Sequence, residues 1–252
     1  MGRLTRIGFF ALACFLSVIS TASADEVRTD ANIVTALDIS DSVDPELLSV
    51  AIKGMARALR APGVLQAIQS GRYGRIGFAF FAWYHGGAYP ELVSWTPIAS
   101  ETDVLHVSSQ IAHWTRLADE AASRRQNMPH DSGRLTDISE AIEHATELFL
   151  AAPYATQRQV LNVIGNGEDN LGENPEHARD RFVSRGGNIN GVVLGNEAAV
   201  LEYYRRYVVG GSGAFCLSAN DAGTIAELLE LKLRYDLAMN AKLSLGLARR
   251  AR

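Results

Sequence analysis

Ile33-Val-Thr-Ala-Leu-Asp-Ile39 followed by Ser40-Asp-Ser-Val-Asp44-Pro45-Glu46 is the stretch whose reading decides the fold. Its first half is an almost unbroken apolar run, the pattern of a strand covered on both faces. Its second half opens a helix, with Asp44 as N-cap, Pro45 at the first helical position and Glu46 near the positive end of the dipole. Between the two, Asp38, Ser40 and Ser42 place alternating oxygen-bearing side chains at the carboxyl end of the strand. Open α/β sheets bind ligands there, where the strand order reverses. One carboxylate and two hydroxyls are hard donors of the kind that suits Mg²⁺ or Ca²⁺. Ser40, Asp41, Ser42 and Asp44 are also the residue types that form turns and caps. That simpler role accounts for Asp44. It accounts poorly for Asp38, because a carboxylate closing an apolar strand is costly unless paired or coordinated.

Outward from this stretch, short apolar runs alternate with longer amphipathic ones, as in helices laid on a mostly parallel sheet. Further strands are expected at Arg75 to Trp83, Val160 to Ile164, Ile189 to Leu194 and Ala214 to Leu217, with a proline-bounded edge strand between Tyr89 and Pro97. Helices are expected at Pro45 to Arg60, Thr102 to Asp119, Ile138 to Ala151, Pro175 to Arg185, Ala198 to Tyr207 and Ala222 to Ala241. Ser123 to Gly133 carries charge, Pro and Gly with little apolar periodicity and reads as a loop.

The first 24 residues combine a basic start (Arg3, Arg6), an apolar run from Ile7 to Ile19 and the small tripeptide Ala22-Ser23-Ala24. That order is expected to be a cleavable secretory signal. The run falls short of the roughly 20 residues a membrane-spanning helix needs, so no span is expected after cleavage. Ala11, standing where a lipoprotein signal prefers Leu, argues against lipidation at Cys14. Removing residues 1–24 takes two of the 24 basic residues and none of the 28 acids, which leaves a net charge of −6 on residues 25–252. An acidic balance disfavours nucleic acid as a partner. Cys216 is then the only cysteine, so no internal disulfide is expected and stability rests on the core. An apolar fraction of 47% is enough for one large domain over residues 25–252.

Two further segments join the opening stretch. Arg134-Leu-Thr136-Asp137-Ile138-Ser139 sets a Thr just before a helix, and Val163-Ile-Gly-Asn166-Gly167-Glu168-Asp169-Asn170 follows the fourth strand. With Asp38, Ser40 and Ser42, these resemble the von Willebrand factor A fold, whose metal-ion-dependent adhesion site uses Asp-x-Ser-x-Ser, a downstream Thr and a later Asp. Thr136 matches the Thr, and Asn166 stands where the Asp is expected. The chain further resembles a bacterial family of secreted proteins with a von Willebrand factor A-like domain, through Asp38 to Asp44, Trp83, Asn162 to Asn170, Tyr203-Tyr204-Arg205 and Val209-Gly210-Gly-Ser-Gly-Ala-Phe215. That family brings no established activity with it.

The resemblance implies a doubly wound, mostly parallel six-stranded sheet with one antiparallel edge strand and helices on both faces. It implies a metal set of Asp38, Ser40, Ser42, Thr136 and Asn166 for Mg²⁺ (or Ca²⁺ or Mn²⁺). The adhesion-type loop and the lack of any nucleophile–base pair lead to the expectation of a secreted, periplasmic, non-enzymatic module that binds a protein ligand, one able to lend a carboxylate to the metal. Against the metal, Asn162, Ile164 and Asn166 replace two carboxylates and a hydroxyl of the family pattern, and affinity falls with ligand charge. Glu168 and Asp169 are candidates to compensate.

Two other readings stay open. One is a metal-dependent hydrolase, specifically a phosphatase, because the haloacid dehalogenase fold also carries an Asp at the end of its first strand; those enzymes need a second carboxylate two residues on, where Ser40 stands. The other is a metal-free structural scaffold. No two of the six histidines have zinc-ligand spacing on one helix face, so each reads as a surface or packing residue. Trp83 and Tyr84 read as core or rim, and Tyr203, Tyr204 and Tyr207 as packing their helix on the sheet. Thr136 has an alternative role as a helix cap, and Gly167 is expected at positive φ. Gly210-Gly-Ser212-Gly-Ala214 has the outline of a nucleophile elbow, but a strand rather than a helix is expected after it.

Overall fold

The computed structural model describes residues 27–86, 89–125, 135–171, 174–219 and 224–237. The expected signal segment lies outside these, as do positions 126–133 of the expected loop, whose first residues instead continue a helix to Arg125. In chain order the elements are β1 (Asn32–Asp38), α1 (Pro45–Leu59), α2 (Pro62–Gln69), β2 (Ile76–Trp83), β3 (Glu91–Ile98), α3 (Glu101–Arg125) and α4 (Ile138–Leu150). They continue with β4 (Gln159–Gly165), α5 (Glu176–Ser184), β5 (Asn188–Leu194), α6 (Ala198–Tyr203), β6 (Cys216–Ala219) and a last helix, α7, over 224–237.

The six strands form one sheet in the order β3-β2-β1-β4-β5-β6. All neighbours are parallel except β2 and β3. The expected architecture is therefore the observed one, with the proline-bearing strand as the antiparallel edge. β1 pairs residue for residue with both β2 and β4, so Asp38 faces Trp83 and Leu37 faces Ile164. The chain leaves β1 toward one edge of the sheet and returns to build the other half from β4. The carboxyl ends of β1 and β4 thus flank the point where strand order reverses.

Alternation along each strand divides the core into two layers. Ile33, Leu37, Phe78, Phe80, Val160 and Ile164 belong to the layer that also holds Met55 of α1, Val107 of α3 and Leu229 and Leu233 of α7. Val34, Ala36, Phe81, Trp83, Leu161 and Val163 belong to the other, with Ile142 of α4, Phe182 of α5 and Tyr204. Trp83 is a core residue, only 1% exposed.

One helix was not foreseen. Ala61-Pro62-Gly63 reads as a chain breaker, yet Pro62 sits in the first turn of α2, where its missing N–H costs nothing, and Val64 and Ile68 are buried one turn apart. α6 runs directly into a π-helical turn over Tyr204–Val208, which widens the helix where Tyr204 enters the core. The glycine-rich stretch takes positive φ at Gly211 and Gly213 and leads into β6, a strand, as expected. Gly167 departs from expectation, because its φ is not positive. A Cβ there would stand 3.9 Å from Ser42 Oγ, so the turn is open to ordinary residues.

Candidate functional site

Asp38 is the last residue of β1 and is fully buried. Its Oδ1 accepts the Ser40 amide at 2.8 Å, which curls the chain back over the strand end. The hydroxyl of Thr136 donates to Ser40 Oγ at 3.0 Å, and Ser40 Oγ lies 3.1 Å from Ser42 Oγ. Ser42 Oγ in turn donates to Asn166 Oδ1 at 3.2 Å. Three loops that are far apart in sequence thus meet in one chain of side-chain oxygens, and all five expected residues are brought together. Every donor in the set is oxygen: one carboxylate, three hydroxyls and one amide carbonyl. This chemistry fits a hard divalent cation.

The alternatives for Thr136 separate cleanly. The N-cap of α4 is Asp137, whose Oδ1 accepts the Glu140 amide at 2.8 Å, so the Thr136 hydroxyl is committed to Ser40 instead. Asn166 closes the site from the other side. Its amide donates to the Ser42 carbonyl at 2.7 Å while its Oδ1 takes the Ser42 hydroxyl, a two-point clamp that a carboxylate could not make.

The two expected compensating acids have other roles. Asp169 Oδ2 accepts the Ile138 amide at 2.8 Å and Oδ1 the Leu171 amide at 3.0 Å, so this carboxylate ties its loop to the start of α4. Burial raises its pKa above the ordinary carboxylate value. Glu168 is exposed and lines a shallow groove beside the site with Glu202, Tyr203, Arg206 and Tyr207. Tyr203 and Tyr207 line this groove, their rings 5.0 Å apart; Tyr203 also packs against the core as expected, and Tyr204 is fully buried.

The expected charge deficit is also smaller than the sequence pattern implied, because Asn162 and Ile164 do not belong to the site. Ile164 points into the core layer under α1 and α7. Asn162, on the same face of the sheet, accepts a hydrogen bond from Lys232 and donates to Asp236 Oδ2 at 3.2 Å. Asn190 donates to Asp236 Oδ1 at 2.8 Å, and Lys232 pairs with Asp236 at 2.6 Å with both side chains at most 1% exposed. This buried cluster, which lowers the Lys232 pKa chiefly by burial, is a structural device of α7. Sequence reasoning missed it, although a Lys and an Asp one turn apart on an apolar helix face were its visible signal.

Tyr204 is the other residue missed at the site. Its hydroxyl approaches Asp38 across Gly165: a Cβ on Gly165 would lie 2.5 Å from Tyr204 Oη and 3.1 Å from Asp38 Oδ2. Burial, and next the Asp38 charge, push the Tyr204 pKa well above its ordinary value, so the phenol stays protonated and supplies a hydrogen-bond donor in the floor of the site.

Residues 28–241 match the model of a family described as "Protein of unknown function (DUF1194)". The chain belongs to that family. No curated protein matches this DUF1194 chain. Its fold is that of the von Willebrand factor A domain. It is similar to the solved structure of von Willebrand factor type A from Catenulispora acidiphila, with a TM-score of 0.56 at 13% identity over 83% of this chain and 43% of that one. It is likewise similar to proximal thread matrix protein 1 from the mussel byssus with a zinc-occupied MIDAS motif, with a TM-score of 0.54 at 20% identity over 84% of this chain and 49% of that one. A third is the pilus adhesin SpaC from Lactobacillus rhamnosus GG, with a TM-score of 0.51 at 10% identity over 84% of this chain and 31% of that one. The DUF1194 chain thus spans about half the length, or less, of the solved chains it resembles. Among the described residues no helix is long and apolar enough to cross a membrane.

Proposed function

We propose that this chain is a secreted, non-enzymatic binding module of the bacterial periplasm, which holds a divalent cation on Asp38, Ser40, Ser42, Thr136 and Asn166 and takes a protein ligand there. The observation that carries the reading is the continuous chain of oxygens from Thr136 through Ser40 and Ser42 to Asn166, assembled beside Asp38 at the switch point of the sheet. With one carboxylate in the set, a hard ion such as Mg²⁺ (or Ca²⁺ or Mn²⁺) keeps much of its charge uncompensated. A partner's carboxylate is then the natural additional ligand. The adhesin and matrix proteins that share the fold are consistent with this use, and so is the zinc-occupied MIDAS motif of the mussel protein. The hydrolase alternative has less support, because Ser40 occupies the position where the phosphatase chemistry needs its second carboxylate.

The test is capture of partners from a periplasmic extract by the purified protein, in Mg²⁺ and in EDTA. Retention is expected in Mg²⁺ and loss in EDTA or on Asp38→Ala. Equal capture by wild type and Asp38→Ala contradicts the site.

One observation favours a second reading, a metal-free scaffold. The Asn166 clamp satisfies both the carbonyl and the hydroxyl of Ser42 without any ion. Calorimetric titration separates the two, since a scaffold gives no Mg²⁺ binding that depends on Ser40 or Ser42.

A further inference from the structure

Immediately beside Thr136, a second set of donors converges that the adhesion-type site does not use. His85, in the turn after β2, points Nδ1 at two carboxylates of α4: Asp137 Oδ2 at 3.2 Å and Glu140 Oε2 at 3.4 Å. One ligand atom from each of the three lies within 4.8 Å of the other two. The two carboxylates are held in place by other groups. Asp137 Oδ1 takes the Glu140 amide, and Glu140 takes the Gly86 amide at 3.1 Å and the Tyr89 hydroxyl. The His85 amide donates to the Leu135 carbonyl at 2.9 Å, which fixes the turn against the segment leading to Thr136. A single ring N–H cannot serve two carboxylates fully, whereas an imidazole lone pair and two carboxylate oxygens form a three-ligand set.

From this geometry we propose that His85, Asp137 and Glu140 form a zinc-class cation site, distinct in its ligands from the Asp38 site. Mixed nitrogen and carboxylate ligation suits Zn²⁺ better than Mg²⁺ or Ca²⁺, which prefer oxygen alone. The His85 side chain is 44% exposed and that of Glu140 36%, so the fourth position opens to solvent for water or a partner side chain. The ion ties the turn after β2 to the start of α4. Tyr89 acts as a positioning residue for Glu140, and His144, stacked on the Tyr89 ring at 4.1 Å, holds that tyrosine in turn.

The test is Zn²⁺ titration of the purified, chelator-stripped protein in saturating Mg²⁺, read by competition with a chromophoric chelator, with Co²⁺ as a spectroscopic stand-in. One Zn²⁺ per chain is expected, unaffected by Ser42→Ala, lost in His85→Ala, and weakened about tenfold or more in Tyr89→Phe, as for removal of an outer-shell partner. Circular dichroism checks that each variant is folded; His85 is exposed enough for its substitution to be tolerated. Equal Zn²⁺ binding by wild type and His85→Ala overturns the proposal. So does binding lost in Ser42→Ala but kept in His85→Ala, or no binding by wild type. Mg²⁺ affinity, measured separately, is expected to be the same in His85→Ala and wild type, so the two sites fail or stand independently.

Discussion

Gly165 shows how tightly the floor of the Asp38 site is built. A Cβ added there would stand 2.5 Å from Tyr204 Oη and 3.1 Å from Asp38 Oδ2, so a methyl group has no room unless they shift. Gly165→Ala is expected to cost about 1–3 kcal/mol, as overpacking does, and to weaken Mg²⁺ binding by displacing Asp38, with thermal melting and calorimetry as readouts. Unchanged melting would mean that Tyr204 moves aside freely. Cys216 gives a chemical probe of the same region. Burial pushes its thiol up to about 11, so at pH 8 nearly all of it is the unreactive thiol. Iodoacetamide is expected to label it far more slowly than a free cysteine until the protein unfolds; labelling at the free rate would contradict the partial burial of Cys216. Part of the candidate site was legible at this scale. The convergence of Asp38, Ser40, Ser42, Thr136 and Asn166 was, because they lie in short motifs whose spacing reflects a strand end and two loops. The nearness of Tyr204 to Asp38, and of His85 to Asp137 and Glu140, was not, because each depends on a neighbour far away in sequence; the Tyr203-Tyr204-Arg205 motif marks the family and not that approach.

The helices show what local sequence can and cannot specify. At the start of α3, Ser100 and Asp103 form a reciprocal capping box: Asp103 Oδ2 accepts the Ser100 amide at 2.9 Å while Ser100 Oγ accepts the Asp103 amide at 3.3 Å. Burial opposes the charge on Asp103, but the Ala99 and Ser100 donors outweigh it and hold the carboxyl below its ordinary value. A depressed folded pKa means stability that is present above the unfolded value and lost as the pH falls through the folded one. Asp103→Asn is therefore expected to lower stability by roughly 1 kcal/mol at neutral pH. In urea melts the gap should shrink toward zero in strong acid; a gap independent of pH would rule out the charged cap.

In α7 the Lys232–Asp236 pair is fully buried. Lys232→Met alone is expected to cost about 3–5 kcal/mol by stranding Asp236, and Lys232→Met with Asp236→Leu considerably less, as read from urea midpoints. Equal losses would mean that the pair is not coupled. The strands and long helices were legible because apolar periodicity decides them. α2 was hidden by a proline and a glycine that happen to sit where a helix tolerates them, and α3 outran its periodic stretch. The role of Asn162 was misread for a related reason. Strand alternation turns it away from Asn166's loop, toward partners in α7 that a motif comparison does not include.

For the molecule as a whole, the order β3-β2-β1-β4-β5-β6 sets the site geometry. Because β1 lies between β2 and β4, the loops after β1 and β4 and the segment before α4 converge on a single point. The Asp38 and His85 clusters share that rim, with Thr136 and Asp137 as consecutive residues between them. The central claim is that the oxygen chain around Asp38 is a cation site and not only a hydrogen-bonded turn. Isothermal titration of Mg²⁺ into wild type, Ser42→Ala and Thr136→Ala, with Asp38→Asn as the charge-removing variant, tests it most directly. One ion per chain is expected in wild type, weaker binding in each hydroxyl variant and none in Asp38→Asn, with folding intact by circular dichroism. The same titration curve in all four proteins, or no heat in wild type, would contradict it.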